Sequence, residues 1–166
     1  HISPELKEIV YIVNKRSDNL YTEQILKTAA QRKSGEGSFE EGTKLIVNFL
    51  KENKIDFSGI KLYDGCGLSR SNTITTRSMV ELLIYNTKQK YFEAFYNSLG
   101  ITGDPDDISF FRNFGVNTSI QKNARIKSGF ITGVRSHSGY VKDKNGRMIA
   151  FSFIANNHDA TSGEIN

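Results

Sequence analysis

The spacing of apolar residues divides this chain into a helical leading part and a strand-rich end. Ser3-Pro4 reads as a helix opening, a cap followed by proline at the first helical position. Leu6, Ile9, Val10 and Val13 then recur at helical spacing and predict one buried face. Asn14-Lys15-Arg16 breaks that pattern, and a second helix is predicted from Ser17 to Ala30 with Ile25, Leu26 and Ala29 inward. Gln31 to Gly37 is polar and reads as loop. Ser38-Phe39-Glu40-Glu41 has the form of a capping box, in which serine caps and the glutamate three residues on reaches back. It opens a helix through Glu52 with Leu45, Ile46, Phe49 and Leu50 as its stripe. Lys61 to Leu68 is extended and then glycine-rich. Thr75 or Thr76 caps a fourth helix with Val80, Leu83 and Ile84 inside, and a fifth, Gln89 to Leu99, is stopped by Gly100. Thr102 to Thr118 carries the glycine, proline, aspartate and asparagine of a loop.

From Ala124 the pattern changes to strands: Ile126 to Val134, Gly139 to Lys142, and Arg147 to Ala155. The last two are joined through Lys144-Asn145-Gly146, and Asn-Gly is the strongest short hairpin signal. Helices first and an antiparallel meander last predict an α+β domain with helices packed on an antiparallel sheet. Neither an internal repeat nor a linker divides it.

Composition narrows the function classes. With 166 residues, 37% of them hydrophobic and including 11 Phe and 7 Tyr, the chain can bury one core. No apolar run approaches the roughly 18 residues that span a bilayer. His1 to Leu6 is polar rather than a secretory leader, so any export signal is expected upstream. The 22 basic residues are scattered among 18 acidic ones for a net charge of +4. The densest cluster, Lys142, Lys144 and Arg147, is interrupted by Asp143, which is not the single-sign stripe a nucleic acid needs. A mildly basic face suits an anionic polymer such as peptidoglycan. Cys66 has no partner for a disulfide, and His1, His137 and His158 lack metal-ligand spacing. No metal or other cofactor is expected.

Two short motifs carry candidate chemistry: Ser17-Asp18-Asn19 between two helices, and Lys127-Ser128-Gly129 near the start of the first strand. Alone each is weak. By itself Ser17 reads first as a helix cap, Lys127 as a solvated strand-edge lysine, and Gly129 as a bulge or tight spot in the sheet. Penicillin-recognising enzymes, however, combine a Ser-x-x-Lys nucleophile, a Ser-Asp-Asn type element and a Lys-Thr-Gly or Lys-Ser-Gly strand. Lys15-Arg16-Ser17-Asp18-Asn19-Leu20, then Asp64-Gly65-Cys66-Gly67-Leu68-Ser69-Arg70-Ser71-Asn72, then Ile126-Lys127-Ser128-Gly129 with Ser138-Gly139-Tyr140-Val141, occur in one order. Together they resemble the signature blocks of the D-alanyl-D-alanine carboxypeptidase/endopeptidase family, the class C penicillin-binding proteins. Cys66 stands where the family usually has serine, and Ser128 where it usually has threonine. Asp104-Pro105-Asp106-Asp107 departs from the glycine-rich loop expected there.

The resemblance implies a partial serine β-lactamase/penicillin-binding-protein fold, with residues 1–166 as its C-terminal part. It implies a serine-type hydrolase of the periplasm or cell envelope that acts on peptidoglycan stem peptides and is acylated by β-lactams. Ser17 would relay a proton, Asn19 orient the catalytic lysine and substrate, and Lys127 supply positive charge. Ser128 would bind the substrate carboxylate, Gly129 admit its backbone, and the N–H of Phe130 form half the oxyanion hole. The Asp64 to Asn72 block reads as structural support. Ser-x-x-Lys occurs as Ser58-Gly59-Ile60-Lys61 and Ser119-Ile120-Gln121-Lys122, neither in a helical setting, so the nucleophile is expected upstream of His1. Glu164-Ile165-Asn166 would begin the family's C-terminal helix. An isolated chain of this kind would have an open sheet edge and a tendency to self-associate. The alternative is a non-catalytic peptidoglycan-binding or scaffold module of the same ancestry.

Overall fold

A computed structural model describes residues 2–160; the C-terminal helix expected at Glu164-Ile165-Asn166 lies outside them. Among the described residues there are five helices: α1 (Leu6–Arg16), α2 (Asn19–Ser34), α3 (Phe39–Glu52), α4 (Thr76–Asn86) and α5 (Phe92–Ser98). Four strands follow: β1 (Gly100–Ile101), β2 (Arg125–Ile131), β3 (Val134–Lys142) and β4 (Met148–Asn156). They form one antiparallel sheet in the order β1-β2-β3-β4. The α+β architecture predicted from the patterning is therefore present.

The helix caps follow local chemistry. Ser38 accepts from the N–H of Glu41 at 3.2 Å, Thr75 from Ser78 at 3.0 Å, and Asp18 from Tyr21 at 2.8 Å. The first helix has its N-cap at Glu5 rather than Ser3, with the Glu5 N–H donating to the Glu8 carboxylate at 3.1 Å. A carboxylate at this end also faces the positive pole of the helix. The second helix starts on Asp18, and Ser17 instead terminates the first. The second also runs on to Ser34, past the predicted end, until Gly35 takes up φ 83°. Gly100 does not stop α5 but opens β1, where an added Cβ would lie 2.6 Å from Ser109 Oγ.

Leu83, Leu99 and Tyr140 form the core between α4, α5 and the sheet, with Phe92 and Tyr96 against them. The Tyr140 hydroxyl donates to the Leu83 carbonyl at 2.8 Å, tying β3 to α4. Beside Tyr140, a Cβ on Gly139 would run into the Arg125 carbonyl, so the strand can be this close only with glycine. The opposite face packs Ile126 and Phe151 against Phe111, Phe114 and Ile120 of the connection from β1 to β2. Phe153 and Ile149 remain largely exposed on that side. Ile84, predicted inside, is also exposed, while Ser78 and Asn86 of the same helix are buried.

The first predicted strand ends early. Ile131 pairs directly with Val134 across Thr132-Gly133, so what reads as one strand is interrupted by a two-residue hairpin. Gly133 takes a φ of 79° there. The Asn145-Gly146 turn forms as predicted and is held by the Asp143 carboxylate, which accepts from the backbone of Asn145 and Arg147.

Candidate active site

The sharp reversal between α1 and α2 is made by Ser17. Its φ of 56° and ψ of 48° are left-handed, an uncommon state for a residue with a Cβ. The backbone N–H groups of Ser17 and Asp18 both donate to the Val13 carbonyl, which fixes this turn as the end of α1. The turn leaves the side chain of Ser17 exposed at the helix junction, with Asn19 exposed in the first turn of α2.

Across from it runs β2. The neighbouring strand β1 pairs only with Arg125 and Ile126. Beyond Ile126, this edge of β2 has no strand partner among the described residues. Lys127 is the next residue, and its ammonium donates to the Ser17 hydroxyl, a contact between residues 110 positions apart. A second hydrogen bond runs to the Ser128 carbonyl at 2.8 Å. No carboxylate pairs with Lys127 among the described residues, and burial holds its pKa below the ordinary lysine value. A cation with no anion of its own, at an open strand edge, is placed to receive one.

Strand alternation puts Ser128 and Phe130 on the face opposite Lys127 and Gly129. Phe130 is exposed, and the guanidinium of its cross-strand partner Arg135 lies 5.4 Å from the ring centre. Gly129 faces Ser136, whose Oγ would be 2.6 Å from an added Cβ. That hydroxyl can rotate away and no backbone atom is met, so the sheet by itself makes only a weak demand for glycine here.

The Asp64–Asn72 segment is a self-bonded loop. Asp64 accepts from the N–H of Gly67 at 2.8 Å, from Ser69 at 2.6 Å, and from the Asn72 amide at 2.7 Å. Asn72 in turn accepts from Tyr63. Glu23 docks the loop on α2, accepting from Gly65 at 3.0 Å and Cys66 at 2.9 Å. Glu23, Asp64 and Cys66 are thus grouped closely, but both carboxylates are engaged by backbone amides. Arg70 of the same segment is exposed.

Three residues of this region had no role assigned to them in the sequence expectations. Glu23 lies one helical turn after Asn19, and that spacing marks it. Lys15 and Asp107 form an ion pair whose two side chains are each 1% exposed, and no local pattern marks either. As for the two Ser-x-x-Lys matches, Ser58 sits in a turn bonded to Asp56. Lys122 is bound to Asp104 at 3.2 Å. Neither is on a helix.

Comparison with known proteins places this geometry. The sequence profile of the D-Ala-D-Ala carboxypeptidase 3 (S13) family matches residues 1–165. The D-alanyl-D-alanine carboxypeptidase of Actinomadura sp. (strain R39) is 31% identical over 160 residues, covering 95% of this chain and 30% of that protein. Penicillin binding protein 4 (dacB) of Haemophilus influenzae superposes with a TM-score of 0.87 at 25% identity, over 98% of this chain and 36% of that one. The same protein in complex with a β-lactam superposes equally well at 26% identity, over 98% of this chain and 38% of that one. The chain spans about a third of the length of these relatives.

Proposed function

The chain belongs to the D-Ala-D-Ala carboxypeptidase 3 (S13) family, and on that membership we propose that residues 1–166 are the C-terminal part of a penicillin-binding domain. The parent is an exported serine-type D-alanyl-D-alanine carboxypeptidase/endopeptidase of the periplasm or cell envelope. Its substrates are peptidoglycan stem peptides. The observation that carries this reading is the Lys127-to-Ser17 hydrogen bond at the open edge of β2.

In this reading a Ser-x-x-Lys serine from the preceding part of the parent chain attacks the carbonyl between two D-alanines. An ester forms, the amide C–N bond breaks, and the departing amine takes a proton. Ser17 passes that proton on, since a hydroxyl both accepts and donates. Lys127 attracts the terminal carboxylate of the substrate and polarises Ser17. Ser128 donates a hydrogen bond to the same carboxylate, and Asn19 orients the catalytic lysine and the substrate amide. Gly129 leaves the edge clear for the substrate backbone. The N–H of Phe130 is one of two oxyanion donors, a kind of group worth about 3 kcal/mol of transition-state stabilisation. Water then hydrolyses the ester.

The rest of the parent chain also covers the exposed residues Ile149 and Phe153 on β4. Without that cover the isolated chain self-associates. Labelling with a fluorescent penicillin tests the reading. The full-length parent becomes covalently tagged and residues 1–166 alone do not. A full-length protein that neither labels nor releases D-alanine refutes the peptidase, and a labelled isolated chain refutes the upstream nucleophile.

A further inference from the structure

Ser17 is exposed, yet the two residues that precede it by three and two positions are anchored in the interior. Asn14 donates to the Ser98 hydroxyl at 2.7 Å, and Ser98, the last residue of α5, is fully buried. Lys15 reaches Asp107, with both side chains sealed from solvent and the Tyr11 ring 5.4 Å from the ammonium. Ser98 and Asp107 flank β1. From Asp107 the contacts continue toward the site: its other oxygen accepts from the Ser109 N–H at 2.7 Å, and the Ser109 hydroxyl accepts from Phe111 at 3.2 Å. Ser109 and Phe111 close directly on Gly100. Gly100 and Ile101 are the residues paired with Ile126 and Arg125, immediately before Lys127. A continuous path therefore joins the backbone carrying Ser17 to the backbone carrying Lys127.

Stability alone is a poor reason for such a pair. Removing two charges from water costs about as much as their attraction returns, and apolar residues of similar volume commonly serve as well. Burial pushes the Asp107 carboxyl up, but the hydrogen bonds from Lys15 and Ser109 outweigh it and hold the group below the usual carboxylate range. The pair is thus a charged, directional strut rather than a neutral filler. We propose that Lys15 and Asp107 are positioning residues, which hold the end of α1 against the β1 connection so that the Ser17 hydroxyl stays in reach of Lys127. This inference rests on the peptidase reading given above.

The test uses the full-length parent and the variant Lys15→Met/Asp107→Leu, which removes both charges and keeps the volume. Its melting temperature should stay within a few degrees of the parent's. Its kcat for D-alanine release and its rate of acylation by benzylpenicillin should fall about 10- to 100-fold, because a misplacement near 1 Å costs that much. KM should change less than about twofold, since substrate contacts remain. A structural role would move the melting temperature and leave kcat unchanged. Lys44→Met, which breaks two surface ion pairs on α3, should match the parent throughout. Should the double variant not fold, Asp107→Glu carries the test: same charge, one methylene longer, with acylation slower by about three- to tenfold. A folded variant acylated at the parental rate overturns the inference and leaves the peptidase reading standing. A parent protein that is not acylated at all overturns both.

Discussion

The Ser17–Lys127 corner and the Asp64–Asn72 loop both stand out in the sequence as motif blocks, and they use their polar atoms in opposite ways. In the loop, Asp64 meets two backbone N–H groups and an amide, Asn72 a third N–H, and Glu23 those of Gly65 and Cys66. The carboxylates there are committed to holding one backbone shape. At the corner, Lys127 meets a hydroxyl and a carbonyl but no counter-charge among the described residues. The lesson is that a polar block identifies chemistry only where it keeps spare bonding capacity. A block whose groups satisfy one another is architecture.

The sharpest way to break that distinction is to delete one group from each block in the full-length protein. Lys127→Ala should lower acylation by benzylpenicillin about 10³-fold, in the range of a lost acid–base or electrostatic partner. Its melting temperature should hold or rise, because burial disfavours the charge that is removed. Asp64→Ala should do the reverse. It frees three donors, two of them backbone, and should cost about 2–4 kcal/mol of stability by denaturant titration. The folded fraction should acylate at a near-parental rate. A slow but stable Asp64→Ala protein would move that loop from architecture into the chemistry.

A pH profile sharpens the comparison with a smaller effect. Burial holds Lys127 below the ordinary lysine value, so the native site loses its positive charge at a lower pH than a free lysine would. The alkaline fall in acylation rate should therefore start below that value. Lys127→Arg should push the fall to higher pH, because guanidinium does not titrate there. The stability term has a definite sign. Between the depressed native value and the ordinary unfolded value, the unfolded chain binds a proton that the native one does not, so this group makes stability rise with pH across that window. An alkaline limb at the same pH in both proteins would remove Lys127 as its source.

How far the sequence carried this picture depended on the distance between cause and effect. Helices with a clear 3.6-residue stripe and a local cap were legible, as Ser38 and Thr75 show. So was the Asn145-Gly146 hairpin, where two residues dictate the turn. The Thr132-Gly133 hairpin was not, since Ile126 to Val134 reads as one strand until Gly133 turns left-handed. β1 was missed because a two-residue strand has no periodicity. The site's two motifs were visible as blocks, but the Lys15–Asp107 pair spans 92 positions. Each member alone looks like a surface charge, and Asp107 lay in a stretch marked only as an exception. Burial of a charge is decided by a partner elsewhere in the chain, and no window of local sequence contains it.

The smallest expected effect tests the architectural half of the comparison at Cys66. Its backbone N–H ties the loop to Glu23 at 2.9 Å, and any residue in that place supplies the same N–H. Burial, followed by the hydrogen bond to Glu23, pushes the Cys66 thiol up. It is therefore protonated at neutral pH and a poor nucleophile. Cys66→Ser keeps a small hydrogen-bonding side chain and should shift stability by less than about 1 kcal/mol. It should leave acylation unchanged, while iodoacetamide should alkylate native Cys66 more slowly than a free thiol at the same pH. Fast alkylation, or an acylation rate lost with the sulfur, would show that the loop holds reactive capacity in reserve and would erase the contrast with the corner.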